Sequence, residues 1–142
     1  METTKDYTII AQLETDLLKI NEDGSGYDTQ ISQVIVGDYL WEDMKVKPSI
    51  AIYAPITIVE KPLLGHTYIK SITISLDLFM DNQQGQDIYQ DIYKFKDDIE
   101  SFIFKSTDWT YQPDSVLVEP SMVYIHDAIK QANIVFLVRY ND

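Results

Sequence analysis

Two segments of the chain carry apolar residues at helical spacing. The first runs from Thr4 to Ile20, and Thr3 or Thr4 can supply an N-cap oxygen. Its recurring apolar positions are Ile10, Leu13, Leu17 and Ile20. The second runs from Asp87 to Lys105, with a stronger stripe of Ile88, Ile92, Phe95, Ile99, Phe102 and Ile103 and with Asp91, Asp97 and Asp98 off it. Both segments are therefore predicted to be amphipathic helices.

Alternation of apolar and polar residues predicts strands elsewhere. It is clearest where Ile72, Ile74, Leu76, Leu78 and Met80 alternate with Ser71, Thr73, Ser75 and Asp77, which predicts one buried face and one face in water. Further strands are expected at 30–36, 50–59, 116–126 and 134–140. Pro55 interrupts the second of these and predicts an edge or a bulge there. Residues 61–66 read as a hairpin tip, and residues 37–47 fit either a helical turn or a segment folded over the core.

The order of these elements indicates the fold class. A helix, several strands, a second helix and two more strands joined by short turns are typical of α+β proteins. At 142 residues, without an internal repeat or a linker, the chain has the size of one domain. We expect a single α+β domain over residues 1–142, a mainly antiparallel sheet with two amphipathic helices packed on it.

Net charge narrows the classes of partner. The formal charge is −12, which disfavours wrapping nucleic acid or binding an anionic membrane, because both need clustered cations. Acidic residues interrupt the first twenty residues, whereas a secretory signal needs an unbroken apolar stretch. No stretch approaches the ~20 apolar residues of a membrane-spanning helix. We expect no membrane association, and folding in the cytoplasm.

Candidate catalytic and metal-binding motifs are weak. The chain has no cysteine, and neither His66 nor His126 has a partner at metal-ligand spacing. Residues 21–32 partly match a calcium loop, but Ser32 stands where a bidentate glutamate belongs, so a helix-terminating turn is predicted. Neither a phosphate-binding glycine loop nor a nucleophile elbow occurs, and acid pairs such as Asp77 with Asp81 fit solvated surfaces. We predict no enzymatic activity, no catalytic residues, no metal and no cofactor.

Several apolar residues are candidates for contact with another protein. Leu63 and Leu64 lie at the predicted hairpin tip, where a monomer normally places polar residues. Aromatic and methionine side chains, which are enriched at interfaces, occur in irregular segments; they are Tyr39, Trp41, Met44, Trp109 and Tyr111. The alternative for the tryptophans is that they fold back and close the ends of the core.

The layout of the chain resembles the tail-terminator, or tail-completion, proteins of tailed bacteriophages. The resemblance covers nearly the whole chain: an N-terminal helix, the proline-then-strand segment Lys47 to Tyr53, the long alternating strand ending at Leu76 to Met80, the helix from Asp87 to Lys105, and a closing strand that ends in Arg139 and Tyr140. None of these is a diagnostic motif by itself.

The resemblance implies a structural role in the virion tail or neck. Such proteins form hexameric rings that cap the tail tube, stop its polymerisation and offer a surface to the head connector. The implied partners are therefore other copies of this chain, a tail-tube protein and a connector protein. DNA would only pass through the lumen, and an acidic lumen wall would keep phosphates from adhering.

Three alternatives remain open. The chain could be another protein of the phage neck or tail tube. A tail-tube protein should polymerise without limit. It could be an acidic binding module, such as an immunity or inhibitor protein, which should be a stable monomer that binds a cationic target. It could also be an enzyme with an unrecognised site, which should have a deep pocket holding an acid of perturbed pKa.

Overall fold

Two helices and six strands make up the part of the chain that the computed structural model describes. This part comprises residues 4–37, 48–62, 68–81, 89–105, 108–111, 115–117, 122–126 and 129–141. The elements in chain order are α1 (Lys5–Leu17) with a 3-10 turn after it (Leu18–Asn21), β1 (Gln33–Val36), β2 (Ser49–Pro62), β3 (Tyr68–Asp81), α2 (Gln90–Phe104), β4 (Ser115–Leu117), β5 (Met122–His126) and β6 (Ile129–Asn141).

The strands form one mainly antiparallel sheet in the order β1-β2-β3-β6-β4, and β5 also pairs with β6. The exception is β1, which runs parallel to β2. β3 and β6 pair along their whole lengths, from Ile69 with Asn141 to Asp81 with Ile129. Both helices pack on one face of this sheet and share its core. The predicted α+β class is therefore confirmed.

The core forms where the apolar stripes of the helices meet one face of the sheet. The predicted stripe of α2 is confirmed at its described positions, which are Ile92, Phe95, Ile99, Phe102 and Ile103. In α1, Ile9 is fully buried and Ile10 only partly, so the stripe is rotated by one position from the prediction at its first turn. The sheet contributes Ile50 and Ile52 from β2, alternate residues of β3 from Ile72 to Leu78, and alternate residues of β6 from Ala132 to Val138.

The predicted interruption at Pro55 is a bulge in β2. Tyr53 pairs with Ser75, but the next pair joins Ile56 to Thr73, so β2 carries one extra residue there. Side chains alternate between the faces of a strand, and an extra residue therefore reverses the alternation. Before the bulge Ile50 and Ile52 face the helices; after it Ile56 and Ile58 lie on the opposite face of the sheet.

The face of β3 away from the helices differs from the prediction. We expected it to be wet, but Ser71, Ser75 and Asp77 are all buried. Their polar groups do not need water because neighbouring strands supply hydrogen bonds, for example from Asn133 of β6 to both Ser75 and Asp77.

The C-terminal strands also differ from the prediction. The strand expected over residues 116–126 is two strands, β4 and β5, which pair with different parts of β6. β6 begins at Ile129, five residues before the predicted start at Ile134, because its first residues pair with the end of β3. Tertiary pairing therefore decides these boundaries rather than the local apolar pattern.

Candidate assembly surface

Three apolar side chains beyond the bulge of β2 are exposed. Ile56, Ile58 and Val59 are 51%, 50% and 52% exposed, and we call them the β2 strip. Ile56 and Ile58 lie on the face away from the helices, whereas Val59 has the opposite orientation on the same strand. Exposed apolar side chains within one short strand segment are a feature of contact surfaces.

No described strand covers the outer edge of β2 beside this strip. β1 pairs with β2 only from Ser49 to Ile52, and within the described residues no strand pairs with the outer edge at positions 56–62. Open edges invite pairing with another chain. The register shifts again between Val59 and Lys61, however, and such bulges oppose regular strand addition. The geometry therefore favours contact through side chains over extension of the sheet.

The start of α1 is anchored beside the strip. The Thr57 hydroxyl donates to Asp6 Oδ2 at 3.4 Å, and the Tyr7 N–H donates to Asp6 Oδ1 at 2.9 Å. A hydrogen bond from the Thr4 hydroxyl is the largest influence on Asp6, and together these donors lower the pKa of its carboxyl against the opposing effect of burial. Thr4 is the N-cap residue, as predicted, but its hydroxyl bonds to Asp6 instead of capping the helix.

The end of the sheet that carries the strip is less acidic than the rest of the chain. Val59 pairs with Lys70, and Ser71, the partner of Ile58, pairs with Arg139. The strand segments 56–62, 68–73 and 137–141 together hold one acid, Glu60, against the three cations Lys61, Lys70 and Arg139. Asp6, bonded to Thr57 beside the strip, adds a second acid, so this end has a formal charge of +1 on a chain whose total is −12.

A buried polar network lies on the same face nearer the centre of the sheet. The Tyr53 hydroxyl donates to Asp77 Oδ2 at 3.1 Å, and Asn133 Nδ2 donates to Asp77 Oδ1 at 2.6 Å. Asp77 is only 8% exposed, so both of its oxygens are engaged inside the protein. The network fixes the register of β2, β3 and β6 and offers no free group for chemistry.

Trp109 is a core residue, which corrects its prediction as an interface residue. It is 1% exposed, and its ring lies 5.5 Å from the Phe136 ring and 6.2 Å from the Tyr111 ring, edge to face in both cases. Tyr111 is partly buried against the same core. The alternative of closing the end of the core is the one the structure adopts, because this edge-to-face packing favours burial of the indole. Tyr39, Trp41, Met44, Leu63 and Leu64 lie outside the described residues.

The segment after α1 is a turn held by its own side chains. Asn21 bonds the backbone of Ile31 twice, donating to its carbonyl at 2.7 Å and accepting from its N–H at 2.6 Å. Gly24 and Gly26 have φ angles of 81° and 86°, which favour glycine. The Asn21 oxygen that could have bound calcium is therefore used within the chain. No group of three or more possible metal ligands occurs among the described residues.

Acidic side chains also connect the elements on the helix side. Asp98, which we placed off the stripe of α2, is buried and accepts from the Thr29 N–H and hydroxyl at 3.2 and 2.6 Å. Lys94 lies 3.2 Å from Asp98 and 3.4 Å from Asp28, and the hydrogen bond to Asp98 is the main reason that the pKa of Lys94 is raised. These contacts attach the segment after α1 to α2.

The β2 strip cannot be predicted from the alternation of apolar residues alone. That alternation places the isoleucines from Ile50 to Ile58 on a single face of the strand. The available signal was Pro55, since a bulge of one residue would turn the later isoleucines to the other face.

Neither a protein-family model nor a curated protein matches this chain. Among the described residues, no helix has both the length and the apolar character needed to cross a membrane.

Proposed function

We propose that this chain is a structural protein of a tailed-phage virion, a tail terminator. Its copies close into a ring, a hexamer by the resemblance, that caps the tail tube and joins it to the head connector. The protein folds in the host cytoplasm and functions in the tail or neck, where DNA passes through the lumen without being bound specifically. The layout of the chain supports this role, as does the α+β fold.

The observation that carries the proposal is the β2 strip, which lies beside a strand edge that none of the described strands covers. Three large apolar side chains, each about half exposed, favour a protein that is completed by assembly, because burying such side chains in a contact is favourable by roughly 25 cal/mol per Å². The bulges beside the strip limit unregulated pairing, which suits an assembly that closes and stops.

Native mass across a concentration series tests this proposal. We expect a discrete closed oligomer, with a hexamer as the specific expectation, measured by light scattering on a sizing column and by electron microscopy of the peak. Assembly that continues without limit would instead identify a tube protein. A strict monomer at every concentration would overturn the ring and leave an acidic binding module as the better account.

A further inference from the structure

We infer that Asp23 and Gly24, in the turn after α1, form a site of spontaneous covalent modification at which the aspartate converts to isoaspartate. The backbone nitrogen of Gly24 attacks the side-chain carboxyl carbon of Asp23. A C–N bond forms, the C–O bond to the carboxyl hydroxyl breaks, and this hydroxyl leaves with the amide proton as water. Water then adds to either carbonyl of the resulting succinimide, which opens to aspartate or to isoaspartate.

The attacking nitrogen of Gly24 is accessible. Gly24 is exposed and has no side chain to shield its own nitrogen. A Cβ atom added there would meet no atom within 4 Å apart from its chain neighbours, so the rest of the fold does not shield the nitrogen either. The Gly24 N–H also donates no hydrogen bond to any residue that the structure describes.

The geometry of the turn explains why this N–H is unused. The Ser25 N–H donates to the Glu22 carbonyl at 3.1 Å, which closes a β-turn with Asp23 and Gly24 at its central positions. The φ angle of Gly24, 81°, is that of the third residue in a type II turn. The turn hydrogen bond uses the N–H of the fourth residue and leaves that of the third to solvent.

The carboxyl group of Asp23 is equally free to react. Asp23 is exposed, and among the described residues its carboxyl has neither a hydrogen-bond donor nor an ion-pair partner. Closing the succinimide requires this side chain to rotate onto the Gly24 nitrogen. No contact of the described chain holds it away.

Asp28, in the same segment, shows the opposite arrangement. Its side chain is 82% exposed, but its carboxyl lies 3.4 Å from the Lys94 ammonium nitrogen. The next backbone nitrogen, that of Thr29, donates to Asp98 Oδ2 at 3.2 Å and carries a β-branched side chain beside it. Both reacting groups are therefore engaged, and Asp28 should convert several-fold more slowly than Asp23.

The modification would change the turn locally and leave the core intact. Isoaspartate retains one carboxylate, so neither the mass nor the net charge of the chain changes. It adds one carbon to the main chain between Glu22 and Ser25, which should break the turn hydrogen bond between them. The two hydrogen bonds from Asn21 to Ile31 lie outside the modified pair, so α1 should stay attached to the segment that leads into β1.

Ageing of the full-length protein tests the site. The protein is kept for several weeks at physiological temperature in mildly acidic buffer, because the protonated carboxyl loses water more readily than the carboxylate. Isoaspartyl groups are then labelled with a protein isoaspartate methyltransferase and methyl-labelled S-adenosylmethionine. Electron-transfer dissociation of the peptides locates them. We expect several-fold more isoaspartate at Asp23 than at Asp28, and faster hydrogen exchange of the Ser25 amide.

Three variants separate the reacting groups. Asp23→Glu keeps the charge but would need a larger and less favourable cyclic imide, so it should remove the label. Gly24→Ala should slow labelling several-fold, and circular dichroism checks its fold because alanine is strained at this φ angle. Asp23→Asn loses ammonia instead of water, so it should convert faster than the wild type and gain the mass difference between acid and amide.

Two outcomes would overturn the site. Equal labelling of Asp23 and Asp28 would mean that exposure alone, and not the free amide of the turn, decides reactivity. An aged wild type without isoaspartate at Asp23, together with an Asp23→Asn variant whose mass stays constant, would mean that the turn prevents the nitrogen from reaching the side chain.

Discussion

Lys130 at the start of β6 is fully buried, and its ammonium nitrogen lies 2.6 Å from Asp91 Oδ1 on α2. A buried lysine is unusual because removing an ammonium group from water is unfavourable unless a carboxylate compensates it. The pair joins the first turn of α2 to the sheet. Its stabilising value depends on both partners being present, since the Lys130 ammonium alone would be buried without compensation.

Asp91→Asn should therefore destabilise the protein. We expect a loss of about 2–3 kcal/mol, somewhat below the ~3–5 kcal/mol of a fully buried pair because Asp91 is 35% exposed. Lys130→Met, which removes the charge and keeps the volume, should be within ~1 kcal/mol of the wild type. Urea denaturation measures the free energy of unfolding of both variants. Asp97→Asn, at an exposed position of the same helix, is the control. Equal losses for Lys130→Met and Asp91→Asn would mean that packing, not charge, is lost.

At the scale of elements, a hydrogen bond between Asp6 and Thr57 joins the first turn of α1 to β2. Hydrogen bonds from the Thr4 hydroxyl, from backbone N–H groups and from the Thr57 hydroxyl stabilise the ionised Asp6 carboxylate, and they lower its pKa from the ordinary value of 3.8. An acid with a lowered pKa in the folded state contributes stability above pH 3.8, and this contribution is lost as the pH falls through the lowered value. The anchoring of α1 beside the β2 strip should therefore weaken only in strong acid.

Thr4→Val tests the source of this effect. The Asp6 pKa, followed by NMR titration of its carboxyl carbon, should rise toward 3.8 in Thr4→Val and by less in Thr57→Val, because Thr4 is the larger influence. Thr8→Val is the matched control, since the Thr8 hydroxyl bonds the Thr4 carbonyl and not Asp6. A pKa that moves as much in Thr8→Val as in Thr4→Val would point to fraying of the helix instead.

Most helices and strands, and many of their buried positions, can be predicted from the sequence. The exceptions have physical causes. The stripe of α2 and the apolar positions of β3 follow directly from periodicity, because each has one face on the core. The burial of Asp77 and Asp98 cannot be predicted this way, since it depends on Asn133 and Thr29, which are distant along the chain. The aromatic character of Trp109 predicts a contact residue, but it lies in the core. The alternation of residues 50–59 predicts ordinary strand positions for Ile56 and Ile58, which are exposed.

For the whole molecule, the formal charge of −12 sets how copies and partners approach. At physiological salt the field of a charged surface falls off over about 8 Å, so the local charge near a contact matters more than the total. A contact at the β2 strip is therefore compatible with repulsion between two copies at larger distances, because cations and acids nearly balance at that end. The acids that remain exposed after assembly would line the outer surface and the lumen of a ring.

The assembled protein should not bind DNA. Phosphate binding needs clustered cations that release counterions, and this chain has 11 lysines and arginines against 23 acids. We expect no change in the fluorescence anisotropy of a labelled duplex at 50 mM salt with the assembled wild-type protein. The Ile56→Glu/Ile58→Glu variant is the comparison, since it adds two further acids at the β2 strip. Binding by the wild-type assembly that weakens steeply with added salt would show cations facing the DNA, and it would contradict an acidic lumen.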